Sequence, residues 1–231
     1  MNGRASAATV FCGIDLFELE TSHENVTGVA FNAGDVIYNE GDDGDRIYLI
    51  ADGTVRIGRR YGDGRECLLA VVGPSEVFGE ESVLDPAPRN ACATALTDMQ
   101  GTALDRTTLM WLMAMNPDIA ERFLRVLARR IRWTSSNITD AVNADVAARV
   151  AKHLLSLAQR FGVQDGGSTR VPMDLTQEQF AHLVGTSRES VNQALREFKE
   201  RGWISAGRDD ILIHDSEPLV SRAQGARRRM R

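Results

Sequence analysis

At Asn116-Pro117 the hydrophobic pattern of this chain changes period, and that change restricts the fold to a strand-rich first half joined to a helical second half. Across residues 26–105, short apolar runs (36–38, 47–50, 54–57 and 67–72) are separated by turn residues. The breakers include 39–44, Asp52-Gly53 and Asp63-Gly64. Asp-Gly is a strong hairpin signal because tight hairpin turns need positive φ. Short, evenly spaced strands of this kind predict an antiparallel barrel or jelly roll.

Beyond the switch, Asn116 supplies an N-cap and Pro117 a first helical position. Ile119, Phe123, Leu127, Ile131, Thr134, Ile138 and Val142 then recur at three- and four-residue steps. They predict one amphipathic helix about 40 Å long. Such a stripe exceeds what a small barrel covers, so it points to a self-association seam. A helix packed wholly on its own barrel is the alternative. Asp145 is placed to cap another helix over 146–160, which makes 143–145 a candidate hinge. A polar loop is expected over 162–169, then a compact helical pair and a hairpin over 203–214. The tail 227–231 is basic and expected to be disordered, able to add weak, salt-sensitive affinity for DNA.

Residues 78–91 read F-G-E-E-S-V-L-D-P-A-P-R-N-A. Here a strand ends at Phe78-Gly79, a carboxylate follows at Glu80, and a proline turn leads to Arg89. Glycine lets a ligand approach the backbone. A carboxylate accepts from sugar hydroxyls, and an arginine fork matches phosphate. The spacing outlines a nucleotide-monophosphate pocket. An ordinary surface ion pair between Glu80 and Arg89, flanking a proline turn, is the alternative reading.

The net charge of −5 argues against a nucleic-acid partner until it is divided. Residues 1–144 carry −8 and residues 145–231 carry +3, which places any DNA contact in the last third. Cys12, Cys67 and Cys92 are odd in number and far apart, against a disulfide framework. His23, His153, His182 and His214 lack ligand spacing, so no metal site is expected. No run approaches the roughly 18 apolar residues of a membrane span, and no basic-then-apolar start is present. Cytoplasm is the expected compartment, with no membrane partner. No Ser/His/Asp set, Walker loop or paired acid and base suggests an enzyme.

Residues 175–204 carry the second chemical signal. Thr176 with Gln179 forms a capping-box pattern opening a helix whose buried face is Phe180, Leu183 and Val184. Gly185 fits a tight turn, and Thr186 or Ser187 caps a second helix buried through Val191, Leu195 and Phe198. This is the helix-turn-helix outline, and the following hairpin would be its wing. Arg188, Glu189, Asn192 and Gln193 stand on the exposed start of the second helix. Arginine can bridge guanine O6 and N7, and glutamate can accept from cytosine N4. For Glu189 the alternative is a capping partner of Thr186, and for Arg188 a solvated helix start.

The cassette at 78–91 and the segment V-G-T-S-R-E-S-V-N at 184–192 together resemble the catabolite activator and fumarate-nitrate regulator family of bacterial transcription regulators. The resemblance runs from about Val26 to Ile213, and the D-P-x-P-R turn is closest to actinobacterial members. It implies an α+β chain: a cyclic-nucleotide-binding jelly roll over 1–115, a dimerisation helix and hinge over 116–144, and a winged helix-turn-helix domain over 145–231. The implied ligand is cyclic AMP, held by Phe78, Gly79, Glu80, Arg89, Asn90 and Arg130, with Thr134 and Ser135 of A-R-R-I-R-W-T-S at the adenine. The implied DNA-binding residues are Thr176, Gln177, Ser187, Arg188, Glu189, Asn192 and Gln193. The implied partners are double-stranded palindromic DNA with GTG-containing half-sites, a second copy of the chain, and RNA polymerase. Three positions depart from the family pattern. Asn90 replaces the usual Ser or Thr, Glu81 an aliphatic residue, and Gln193 a basic one. A regulator with another ligand or none, constitutive or responding through Cys67 or Cys92, is the alternative.

Overall fold

The computed structural model describes Val10 and residues 25–62 and 66–225. Cys12, His23, the Asp63-Gly64 turn and the basic tail lie outside the described residues. The chain forms two compact units, 1–131 and 132–231.

The first unit carries eight strands: β1 (Val26–Phe31), β2 (Val36–Tyr38), β3 (Arg46–Asp52), β4 (Val55–Arg60), β5 (Glu66–Val72), β6 (Val77–Phe78), β7 (Cys92–Ala95) and β8 (Met99–Asp105). They make two antiparallel sheets, ordered β1-β8-β3-β6 and β2-β7-β4-β5. Alternation along β3 sorts the core. Ile50 joins Val55, Val72, Phe78, Ala93, Ala95 and Met99 in one cluster. Ile47 and Leu49 join Val77, Leu104, Leu109, Leu112, Ile119 and Phe123 in another, which packs the sheet against helices. These helices are α1 (Glu80–Leu84), α2 (Arg106–Met115), capped by Asp105, and the start of α3 (Pro117–Asn143).

The long helix is present, but its stripe has two destinations. Ile119 and Phe123 are fully buried in the barrel's own core, so they form no seam. Leu124, Ile131, Ile138 and Val142 are 64–79% exposed. With Ala128 and Ser135 they recur at alternating steps of four and three, the spacing of a coiled-coil seam. Phe123 is buried while its neighbour Leu124, about 100° further round the helix and outside the predicted stripe, is exposed.

The second unit holds α4 (Val146–Phe161), β9 (Val163–Asp165), β10 (Ser168–Pro172), α5 (Gln177–Val184), α6 (Arg188–Glu200), β11 (Ile204–Ala206), β12 (Asp210–Ile213) and α7 (Ser216–Gly225). Asp145 caps α4, its Oδ1 accepting from the Ala148 N–H at 2.8 Å. The sheet order is β11-β12-β10-β9. The loop expected over 162–169 is instead a hairpin turning at Gly166-Gly167, both with positive φ. Its first strand is exposed throughout, so no apolar alternation marked it. Among the described residues no helix is long and apolar enough to cross a membrane.

Candidate functional site

Gly79 follows β6 and precedes α1 with φ +78, and a Cβ there would lie 2.8 Å from Arg89 Nη1 and 3.1 Å from the Arg46 carbonyl. Only glycine fits both the backbone conformation and the space. Its carbonyl accepts from Arg89 Nη1 at 2.6 Å, and the Arg46 carbonyl accepts from Nη2 at 2.6 Å. The guanidinium lies over the Tyr38 ring, 4.3 Å from its centre, and Tyr38 belongs to an aromatic group with Tyr48 and Phe78. Burial, above all, pushes the Tyr38 phenol well above its ordinary range, against the opposing pull of Arg89.

Arg89 is only 4% exposed, yet among the described residues none of its contacts is a carboxylate. Its Nε is buried with no hydrogen-bond partner among the described residues. Two of five donors are committed, and a buried cation without a counter-ion is costly. This corner is built for an anion. Glu80, 3% exposed, is ion-paired with Arg130, whose other nitrogen donates to the Val77 carbonyl. Glu80 and Arg89 are therefore neither exposed nor paired with each other, which removes the surface-ion-pair alternative. Asn90 is exposed and donates its amide to Glu81.

The donor set fits a cyclic nucleotide: a buried carboxylate for sugar hydroxyls, an arginine lacking its anion, and a glycine leaving room for close approach. Phe78, Gly79, Glu80, Arg89, Asn90 and Arg130 all belong to the first unit. Thr134 and Ser135 are exposed on α3, in the stretch assigned to the second unit. Tyr38, Tyr48 and the Arg46 carbonyl escaped sequence reasoning because they reach Arg89 only through sheet pairing. The 78–91 segment carries no local trace of them.

Cys67 and Cys92 sit on β5 and β7, the strands flanking β4, opposite Arg59 and Gly58 respectively. Two strand spacings separate them by roughly 10 Å, beyond the ~7 Å that a disulfide spans. Among the described residues no His, Cys, Asp and Glu group could hold a metal ion.

In the second unit, Thr176 caps α5 in a full capping box with Gln179. Gly185 ends that helix in the left-handed region, φ +72. Ser187, not Thr186, caps α6. That removes the capping-box alternative for Glu189, whose carboxyl is held low by its own backbone N–H and by Ser187. Gln177 Oε1 accepts from Arg188 Nε at 3.2 Å and from Asn192 Nδ2 at 3.3 Å. Arg188, Glu189 and Gln193 are exposed, and Asn192 partly so. Val191, Ala194 and Phe198 form the buried face of α6, with Leu195 only partly buried.

Residues 29–116 match the cyclic nucleotide-binding domain and residues 148–222 the Crp-like helix-turn-helix domain. The chain is 48% identical to the CRP-like cAMP-activated global transcriptional regulator of Mycobacterium tuberculosis, over 94% of this chain and 97% of that one. It is 33% identical to the cyclic AMP receptor protein of Thermus thermophilus, over 83% and 86%. Among solved structures, a CRP/FNR family transcriptional regulator from Thermus thermophilus superposes with a TM-score of 0.69 at 27% identity, covering 86% and 98% of the two chains. FixK2 from Bradyrhizobium japonicum shares the fold, with a TM-score of 0.75 at 21% identity, over 85% and 96%. With a nucleotide-binding roll, a long helix and a helix-turn-helix reader in this order, the chain belongs to the CRP/FNR family of transcription regulators, which are not enzymes.

Proposed function

We propose that this regulator is a homodimer switched by cyclic AMP, binding palindromic double-stranded DNA through GTG-containing half-sites in the cytoplasm and working with RNA polymerase. The observation carrying the ligand reading is the buried Arg89 guanidinium, which among the described residues has two carbonyls and a tyrosine face but no carboxylate. A cyclic phosphate supplies the missing charge, and Glu80 takes the sugar hydroxyls once shared with or released by Arg130. Cyclic AMP is favoured among cyclic nucleotides by Thr134 and Ser135, which would meet the adenine, and by similarity to the cAMP-activated mycobacterial regulator.

The exposed seam Leu124, Ile131, Ile138 and Val142 supports the dimer. We assign 1–115 to the sensor, 116–144 to the dimerisation helix and hinge, and 145–231 to the reader. Ligand bound beside α3 would shift the hinge before Asp145 and bring two α6 helices about 34 Å apart, one turn of DNA. Thr176, Gln177 and Ser187 would position the reader, while Arg188, Glu189, Asn192 and Gln193 face base edges.

A mobility-shift assay tests this on wild type without cyclic AMP, wild type with it, and Arg89→Ala with it. Retardation in the second lane alone is expected. Equal DNA binding in all three would remove the switch.

A further inference from the structure

We infer that Glu81 is a charge filter at the phosphate end of the pocket, separating monoanionic cyclic phosphodiesters from dianionic phosphomonoesters. The inference rests on the cyclic nucleotide reading proposed above. Glu80 and Glu81 open α1, and Arg89 and Asn90 follow the turn after it. Glu80 is buried and neutralised by Arg130. Glu81 is exposed, and its side-chain partner among the described residues is the uncharged amide of Asn90. That bond tethers a carboxylate next in sequence to Glu80 and one residue's reach from Arg89, with no ion pair of its own among the described residues. Tyr38, on whose ring Arg89 lies, feels Arg89, Glu80 and Glu81 together, so the three charges share one neighbourhood.

An anion entering this corner meets attraction from Arg89 and repulsion from Glu81. Repulsion scales with the charge of the incoming group. A cyclic nucleotide carries one negative charge, whereas a 5′-mononucleotide carries nearly two at neutral pH, since its second pKa is about 6. Base and ribose are common to both. The carboxylate therefore costs the acyclic compound about twice the free energy it costs the cyclic one, and the fold-changes are related as a square. The regulator would lose some affinity for its messenger and gain discrimination against the hydrolysis product of that messenger.

Calorimetric titration of the full-length protein with cyclic AMP and with 5′-AMP, at low and high salt, tests the filter. Glu81→Gln keeps the acceptor and removes the charge at an exposed site that folding tolerates. It is expected to tighten cyclic AMP about fourfold and 5′-AMP about sixteenfold at low salt, with both gains shrinking as salt rises. The cyclic-to-acyclic preference thus falls about fourfold, a ratio that a general loss of fold would not move. In an Asn90→Ala background the carboxylate is untethered, and the same substitution should change the ratio less. An unchanged ratio in Glu81→Gln, with wild type still binding cyclic AMP, overturns the filter alone. Wild type that binds neither nucleotide overturns the underlying pocket reading, and the filter with it. An undiminished Glu81 effect without Asn90 overturns the tether.

Discussion

Glu80 and Arg130 hold each other: the buried carboxylate at the start of α1 is ion-paired with a guanidinium on the long helix. Removing Arg130 leaves a 3% exposed carboxylate without its partner. Breaking a wholly buried pair costs about 3–5 kcal/mol, and because Arg130 is about a third exposed we expect roughly 2 kcal/mol for Arg130→Gln. Urea unfolding monitored on the first unit measures it. Glu80→Gln combined with Arg130→Gln should cost less than the two losses added together, since neither partner is then left charged and alone. Additive losses would show that the pair is not coupled.

Arginine at position 89 acts through its planar fork, so charge alone does not replace it. Arg89→Lys cannot span the Gly79 and Arg46 carbonyls while lying flat over Tyr38. Cyclic AMP affinity is expected to fall about 100-fold, equivalent to roughly 3 kcal/mol of charge-assisted hydrogen bonding. Tyr38→Phe keeps the ring and should bind nearly as wild type, while Tyr38→Leu should lose about tenfold. Calorimetry across these three variants separates the fork from the charge.

Sedimentation reads the seam. Ile138→Glu places a carboxylate in the proposed dimer interface at a site that is exposed within the chain. The folded protomer should keep its thermal stability within about 0.5 kcal/mol. The molecular mass should fall from dimer to monomer. A dimer that survives both Ile131→Glu and Ile138→Glu assigns self-association to another surface.

Burial pushes the His153 imidazole down from 6.5 to about 4, helped by Lys152 and Arg149 and opposed by Asp140. The ring packs edge-on against Trp133, and Lys152 lies over that indole while pairing with Asp140. The folded state therefore keeps the ring neutral where the unfolded chain takes up a proton. Its stabilising contribution is fully present above about pH 6.5 and is lost progressively as pH falls toward about 4. Up to about 3 kcal/mol is at stake over that window. His153→Gln should flatten the pH dependence of the urea midpoint between these values, and an unaltered slope would assign the acid sensitivity elsewhere.

On the reading helix, Arg188→Ala should cost about 1–3 kcal/mol of specific DNA affinity and relax preference at one base pair. Gln177→Ala removes the acceptor shared by Arg188 and Asn192. A smaller loss is expected there, with broadened preference at the same base pair and little change in salt dependence. Binding-site selection with both variants distinguishes the contact from its positioning.

The order of sheet, long helix and helix-turn-helix was legible in the sequence, because each rests on local rules. The Asn116-Pro117 helix start, the Thr176 capping box and Gly185 all act within a few residues of chain. Asp52-Gly53 does turn the chain, but it carries it from one sheet to the other instead of closing the expected hairpin, because β3 and β4 pair with other strands. Glu80 and Arg89 were legible as chemistry for the same reason, lying at the two ends of one turn. What each grips was not. Arg130 reaches Glu80 across 50 positions and Arg89 reaches the Arg46 carbonyl across 43, pairings made by sheet register and helix packing that no local pattern encodes. Side-chain direction on the long helix had the same fate. Spacing alone marks Phe123 and Leu124 as apolar neighbours, and only the barrel packed against one face decides which is core and which stays exposed.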